Sequence, residues 1–389
     1  MIRSQETLNL LLDSISRFVR ERLVPNEEIV AETDQIPAGL LQEMKDLGLF
    51  GLCLPEEYGG LGLTMEEEVL AAFELGKTSP AFRSAIGSNN GIGSTGLVVD
   101  GTAAQKEKYL PRLASGELIG SFCLTEPEAG SDAASLKTRA VRDGDHYVLN
   151  GTKRFITNAP EAGLFTVMAR TGRDASGADT KGADAISAFV VEAGTAGLSL
   201  GKIDRKMGQK GAHTCDVIFE NCRVPVENLI GEKEGVGFKT AMKVLDKGRL
   251  HIAAVATGAA ERMLADALRY AIDRKQFDKP IIDFQLVQAM LADSQAEIYA
   301  SRCMIVDAAK KRDNGERVTS EASCAKMFAT EMCGRVADRA VQIFGGAGYM
   351  SEYGIERFYR DVRLFRIYEG TTQIQQIVIA RELRRSAGG

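Results

Sequence analysis

Three stretches of this chain bring together residue types that can bind or transform a small molecule. In Tyr368-Glu-Gly-Thr-Thr-Gln373 a glutamate stands before a glycine, just ahead of a segment with helical periodicity. Taken alone, that acid reads as an ordinary charge favoured by a helix N-terminus. In Cys123-Leu-Thr-Glu-Pro-Glu-Ala-Gly-Ser-Asp132, hydroxyls and small residues flank a proline-bounded turn. Such a loop can offer backbone N–H groups and hydroxyls to a ring edge or a phosphate; a solvated loop has the same composition. In Gln342-Ile-Phe-Gly-Gly-Ala-Gly-Tyr349, followed by Glu352, Arg357 and Asp361, glycines gather at a helix end. They let a ligand or another backbone approach closely, and a plain helix–helix turn would use them too. A fourth stretch, Gly91-Ile-Gly-Ser-Thr-Gly96, fits the G-x-G-x-x-G dinucleotide pattern. That pattern needs a preceding strand. Ala81 to Asn90 offers none, so close helix packing is the better reading.

The elements that must position these stretches fall into three regions. Residues 1–120 read as an all-α domain. Leu8, Leu11, Leu12, Ile15, Phe18, Val19 and Leu23 recur at helical spacing with charges between them. Thr64-Met-Glu-Glu67 is a capping box for a helix running to about Gly76, and Pro55-Glu-Glu-Tyr-Gly-Gly-Leu-Gly62 is the loop before it. Residues 121–230 read as a β domain. Asp143-Gly144 and Asn150-Gly151 are tight-hairpin signals around Tyr147-Val-Leu149. Ile186–Val191 and Cys215–Phe219 are further strands, and Thr171–Asp184 is a polar, glycine-rich loop. Short strands at this spacing suggest a small barrel or sandwich. Residues 231–389 are helical again, in segments near 235–273, 280–312, 318–345 and 371–385, with a stop at Asp313-Asn-Gly315. Long helices with short connections suggest an antiparallel four-helix bundle. The predicted class is therefore α+β and multi-domain: a helical N-terminal domain, a β-barrel-like middle domain and a C-terminal four-helix bundle.

Composition narrows the function classes. The net charge is −5 with no basic stripe, which speaks against nucleic-acid binding. Cysteines at 53, 123, 215, 222, 303, 324 and 333 form no Cys-x-x-Cys pair, and the three histidines (His146, His213, His251) are scattered. Neither a zinc site nor a dithiol motif is indicated, and no metal is expected. Unpaired thiols and an N-terminus that reads as a folded helix rather than a signal peptide fit a reducing, cytoplasmic setting. The longest central apolar run, Ile252 to Ala260, is too short to span a bilayer.

Together the three chemical stretches resemble the acyl-CoA dehydrogenase family, over essentially the whole chain. Cys123 to Ser135 satisfies the family's first signature and Gln342 to Asp361 its second. Pro55-Glu-Glu-Tyr-Gly-Gly60, Phe155-Ile-Thr-Asn158, Arg274-Lys-Gln-Phe277 and Tyr368-Glu-Gly-Thr371 recur in the family's order. The resemblance implies FAD between the β domain and the bundle. Phe122, Leu124 and Thr125 would line one side of the flavin ring, Ser131 the pyrophosphate side, and Phe155, Ile156 and Thr157 the other side. Phe155 stands where many relatives carry Trp; it keeps an aromatic face without the indole N–H. Thr371 and Gln373 would reach the cofactor from the last helix. Arg274, Gln285, Gln342, Gly345 and Gly346 resemble residues that reach a neighbouring subunit's FAD, with Phe277 in the same cofactor set, implying a homo-oligomer, expected to be a tetramer.

The implied reaction is α,β-dehydrogenation of an acyl-CoA. Glu369 would take the α-proton, the β-hydride would pass to flavin, and electron-transfer flavoprotein would take the electrons. The family's donors for the thioester oxygen are the backbone N–H of the catalytic Glu and a ribityl hydroxyl, and Gly370 leaves room for the thioester. Some relatives place the base elsewhere, at a position that is Gly248 here, followed by Arg249; glycine cannot act as a base. Asp246, Arg249 and Arg381 match positions near CoA, and Ser131 also counts toward the substrate. Phe82-Arg83-Ser84 resembles the triplet whose Arg binds the free carboxylate in glutaryl-CoA dehydrogenases, although Gly87 replaces a helping Ser. A short- or medium-chain acyl-CoA is the main expectation and a dicarboxylyl-CoA the minority one, the plain alternative being an Arg83 paired with a Glu or exposed at the pocket mouth. An acyl-CoA oxidase and a non-catalytic binding protein of the same fold are the alternatives of other classes.

Overall fold

The structure is a computed structural model and describes residues 2–172 and 182–388. The predicted loop Thr171–Asp184 falls largely on residues 173–181, outside the described residues. The chain opens with helices α1 (Gln5–Phe18), α2 (Glu27–Thr33), α3 (Ala38–Asp46), α4 (Met65–Gly76), α5 (Pro80–Asn90), α6 (Thr95–Asp100) and α7 (Ala103–Ala114). The capping box of α4 is present in full: Thr64 accepts from the Glu67 N–H and Glu67 accepts from the Thr64 N–H. The segment before Gly91 is the helix α5, so the glycine pattern there opens no βα unit. Gly93 instead packs on β1, where a Cβ would lie 2.9 Å from Gly120.

Strands β1 (Gly120–Cys123), β2 (Arg139–Asp143), β3 (His146–Thr157), β4 (Leu164–Arg170), β5 (Ile186–Glu192), β6 (Leu198–Leu200) and β7 (Thr214–Pro225) form one curled sheet. Its order is β1-β4-β2-β3-β7-β6, with β5 on the other side of β4. β2 and β3 join at the expected tight turn, where Asp143 pairs with His146 and Gly144 takes φ 63°. The second hairpin signal is corrected. Asn150-Gly151 lies inside β3, at a register shift against β7. Its dipeptide serves a bulge rather than a turn: the Asn150 side chain accepts the Asn221 N–H, and Gly151, at φ 150°, leaves no room for a Cβ beside Thr138.

The remaining chain forms α8 (Gly237–Asp273), a two-residue-strand hairpin β8 (Lys275–Gln276) and β9 (Lys279–Pro280), α9 (Gln285–Asp313), α10 (Thr319–Phe344), α11 (Ile355–Val362) and α12 (Thr372–Ser386). The long helices match the segments read from periodicity; α11 and the short hairpin were not anticipated. The core between α8, α9 and α10 is rich in alanine, which lets the helices approach closely. α4 enters this core as well. It crosses α8 at a glycine pair: a Cβ on Gly76 would sit 2.4 Å from the Val255 carbonyl oxygen, and one on Gly258 2.1 Å from that of Phe73. Asp313, at the end of α9, caps α4 by accepting the Met65 and Glu66 N–H groups at 2.8 and 2.9 Å. No helix among the described residues is long and apolar enough to cross a membrane.

Candidate active site

Glu369 sits in the turn between the short helical stretch Arg363–Arg366 and α12, and its backbone is left-handed, φ 56°, followed by Gly370 at φ 86°. A non-glycine residue there costs roughly 1–3 kcal/mol and persists only where the surroundings impose it. The surroundings do. Thr371 caps α12 by accepting the Ile374 N–H at 3.2 Å. The Gln375 amide donates to the carbonyls of Glu369 (3.3 Å) and Gly370 (3.0 Å). The Lys326 ammonium, from α10, donates to the Gly370 carbonyl at 2.7 Å. Thr372 donates to Glu331, which also pairs with Arg366. At position 370 a Cβ would meet the Gln375 amide nitrogen at 2.6 Å, so glycine is required there.

The carboxylate this turn presents is buried, and its Oε2 has no hydrogen-bond partner. Burial pushes its pKa above the usual carboxylate value, and Arg83, Lys326 and Arg249 pull the other way. The space it occupies is the space of a missing side chain: a Cβ on Gly248 would lie 2.7 Å from Glu369 Oε2. The two positions at which the sequence could seat a base thus converge on one volume, and the glycine at one makes room for the acid at the other.

Two cavities meet at Glu369 and Tyr368. The larger, of about 340 Å³, runs between the sheet and α8. Phe122, Leu124, Thr125 and Ser131 line it from the end of β1 and the loop beyond, and Phe155, Ile156 and Thr157 from the end of β3. Arg249 and Gly370 complete its contact with the Glu369 turn. Phe155 has a left-handed backbone and is 58 % exposed, held where β3 bulges. A buried ion pair supports this wall. Lys153, fully buried, meets Glu126 at 2.8 Å, and Glu126 also accepts the N–H groups of Lys137 and Thr138. Apolar and aromatic faces with interspersed hydroxyls fit a flat, amphipathic group such as a flavin.

The smaller cavity, of about 60 Å³, lies on the other side of Glu369 and is lined by charge: Arg83, Lys206 and Lys247 against Glu68 and Glu369. Arg83 is half-buried and, among the described residues, makes no ion pair with a Glu. Its Nε donates to His251 Nε2 at 3.0 Å, and among the described residues its Nη groups have no hydrogen-bond partner. Because Arg83 can only donate, His251 Nε2 must accept, and its Nδ1 then carries the hydrogen given to Glu68 at 2.9 Å. Burial and then Arg83 push the His251 pKa down, which agrees with a neutral ring. Burial pushes Glu68 up, but Lys247 at 3.3 Å and the His251 hydrogen bond outweigh it and hold the acid at about 2. Gly87 makes this arrangement possible: a Cβ there would lie 2.8 Å from the Arg83 guanidinium carbon.

Other expected residues lie elsewhere. Asp246 pairs with Arg249 at 2.7 Å but lines a separate groove with Arg312 and Arg317. Arg381 is exposed. Thr371 acts as a helix cap, and Gln373 points to the exposed side of α12. Arg274, Phe277, Gln285, Gln342, Gly345 and Gly346 are exposed and line neither cavity. The sequence reading missed Glu68, Lys247, His251, Lys326, Gln375 and the Glu126–Lys153 pair. Lys247 and His251 could have been found, since they flank Gly248 on one face of α8 at i and i+4, and Gln375 lies only five residues beyond the Gly370 whose carbonyl it binds; Glu68, Lys326 and the Glu126–Lys153 pair are joined to their partners across large separations in the chain and carry no local signal.

The chain is similar to known proteins over nearly its whole length. The chain matches the acyl-CoA dehydrogenase N-terminal domain over residues 5–117, the middle domain over 121–222 and the C-terminal domain over 235–384. It is 42 % identical to a probable acyl-CoA dehydrogenase of Bacillus subtilis, covering 96 % of this chain and 97 % of that protein. It is 41 % identical to a caffeyl-CoA reductase-Etf complex subunit of Acetobacterium woodii, covering 96 % and 97 %. The solved butyryl-CoA dehydrogenase of Megasphaera elsdenii superposes with a TM-score of 0.92 at 38 % identity, covering 98 % of this chain and 99 % of that one.

Proposed function

This chain belongs to the acyl-CoA dehydrogenase family, and from that premise we propose that it is an oxidoreductase that converts an acyl-CoA thioester to the trans-2-enoyl-CoA, with Glu369 as the base. The observation that carries the reading is a buried carboxylate with a free oxygen at the junction of two cavities, seated in the space left by Gly248. The larger cavity would hold FAD through Phe122, Leu124, Thr125, Ser131 and Phe155 to Thr157. When bound, FAD supplies the acceptor for the β-hydride. Glu369 takes the α-proton, and its own backbone N–H, pinned by the left-handed turn, faces the thioester oxygen as negative charge develops there. Burial that raises the carboxyl pKa above its ordinary value makes Glu369 a stronger base toward a weak carbon acid.

The chain division near residues 120 and 230, a homotetramer, a cytoplasmic setting and electron-transfer flavoprotein as acceptor belong to the same proposal. Its relatives include both dehydrogenases and a reductase of a CoA thioester, so direction is part of what must be tested. Holoprotein mixed anaerobically with straight, branched and dicarboxylic acyl-CoAs should show its flavin bleached by at least one of them. Bleaching by none, alongside turnover of enoyl-CoA with reduced electron-transfer flavoprotein, would reverse the direction. Rapid reoxidation by oxygen in the presence of product would favour an oxidase.

The small cavity favours a second reading for the substrate. Arg83 points two unpartnered Nη groups into a space whose cations outnumber its anions. Arg83 is half-buried, and a terminal carboxylate on a short acyl chain would pair with its free Nη groups bidentately. The comparison that decides is kcat/KM for glutaryl-CoA against butyryl- and hexanoyl-CoA, in the parent and in Arg83→Ala. If the substitution lowers all three alike, Arg83 reads no carboxylate.

A further inference from the structure

Lys326 is a fully buried lysine behind the catalytic turn, and it lines neither cavity. Taking an ammonium out of water costs several kcal/mol unless something compensates. Its hydrogen bond to the Gly370 carbonyl does not explain the charge, because the neutral Gln375 amide already donates to that same oxygen. The anions that face Lys326 are Glu369 and Glu331. Glu331 is engaged by Arg366 and Thr372, which leaves Glu369 as the counter-charge. Glu369 in turn is faced by Arg83 from α5, Arg249 from α8 and Lys326 from α10, with Tyr368 beside it. Arg83 and Arg249 line the cavities and would change surroundings as these fill; Lys326 would not.

We propose that Lys326 is a positioning residue for proton removal: through the Gly370 carbonyl it fixes the left-handed Glu369–Gly370 turn, and from a side no substrate reaches it supplies the positive charge that favours the ionised base. The inference rests on the reading of Glu369 as the base. Burial pushes the Lys326 pKa down to about 8, with Glu369 opposing that shift, so the ammonium form prevails at neutral pH.

Three variants of the holoenzyme separate charge from hydrogen bond. Lys326→Gln keeps a donor and loses the charge, Lys326→Arg keeps both, and Lys326→Met loses both. The Glu369 carboxyl is titrated by infrared difference spectroscopy, its band assigned by its loss in Glu369→Gln, and the pH dependence of flavin reduction by butyryl-CoA is measured alongside. In Lys326→Gln both midpoints should rise by about one unit, the effect of removing a nearby opposite charge, while Lys326→Arg stays within a few tenths. Lys326→Met should show the same rise and a further fall of about tenfold in the high-pH limiting rate, because a displaced turn misplaces the base. Unmoved midpoints in Lys326→Gln and Lys326→Met, or an equal rise in Lys326→Arg, overturn the charge role. Equal limiting rates in Lys326→Met and Lys326→Gln overturn the positioning role. Should Glu369→Gln retain parent-rate flavin reduction, it is the base assignment that fails, and the infrared midpoints still report on Lys326.

Discussion

A carboxylate removes a carbon-bound proton efficiently only when its own proton affinity is high enough, and burial pushes Glu369, the proposed base, in that direction. Replacing it with glutamine should leave fold and FAD content intact and slow flavin reduction by acyl-CoA by about 10²–10⁴-fold; near-parent rates in rapid mixing would refute the assignment. Gly248→Ala should also cut the rate, since its Cβ would lie 2.7 Å from Glu369 Oε2 and displace the carboxylate. The sequence pointed to Glu369 and to Gly248 separately, but only three dimensions show that one fills the other's space. The charges behind Arg83 make a prediction about stability. Glu68 titrates at about 2 when folded against an ordinary value of 4.5. Its folded pKa is depressed, so its contribution is fully present above about 4.5 and is lost as pH falls toward about 2. Glu68→Gln should therefore destabilise at neutral pH by an amount on the order of 3 kcal/mol at most, and the gap from the parent should close as pH falls through that window. Denaturant melts of both proteins at several pH values check this; a gap that does not depend on pH would mean Glu68 acts by packing alone.

Helices were the legible elements. Apolar periodicity sustained across α8, α9, α10 and α12, a complete capping box at Thr64 and the stop at Asp313 are local signals, and each marks a real boundary. Pairing between elements was not legible. Asn150-Gly151 carries a hairpin composition, yet β3 runs on through it because β7 pairs along both sides of the bulge. Likewise nothing near Gly76 announces that α4 will cross α8 at Gly258, because the contact joins residues far apart in the chain. That crossing brings Glu68 of α4 to Lys247 and His251 of α8, so an element-level fault should reach the site. Gly258→Ala places a Cβ 2.1 Å from the Phe73 carbonyl oxygen, an overlap with backbone that no rotamer relieves. We expect a loss of about 1–3 kcal/mol or more, seen as a lower denaturant midpoint by circular dichroism. Catalytic efficiency should fall with it, and an unchanged midpoint would mean the helices simply part without cost.

At the scale of the whole molecule, one end of the helical bundle exposes several large apolar side chains. Tyr270, near the end of α8, stacks on Phe344 at the end of α10 with ring centroids 4.2 Å apart, so the hairpin after α8 and the Gln342–Gly346 segment share that end. There Phe277 is 87 % exposed, Leu286 81 % and Tyr349 81 %. Single exposed apolar residues are ordinary, but a group of large ones around Arg274, Gln285 and Gln342 is the kind of surface that the proposed homo-oligomer would cover. These polar residues line neither cavity of their own chain; we propose that they serve a neighbour's cofactor. If so, FAD binds only the assembled form and stabilises it by mass action. Subunit dissociation and FAD release should then occur together as the holoprotein is diluted, with light scattering and flavin fluorescence following one curve. Arg274→Ala and Phe277→Ala should shift both curves to higher protein concentration by a similar factor, although neither residue touches the cavity in its own chain. A dilute holoprotein that is monomeric yet retains its flavin would refute the shared site, and Arg274 would then be an ordinary surface cation.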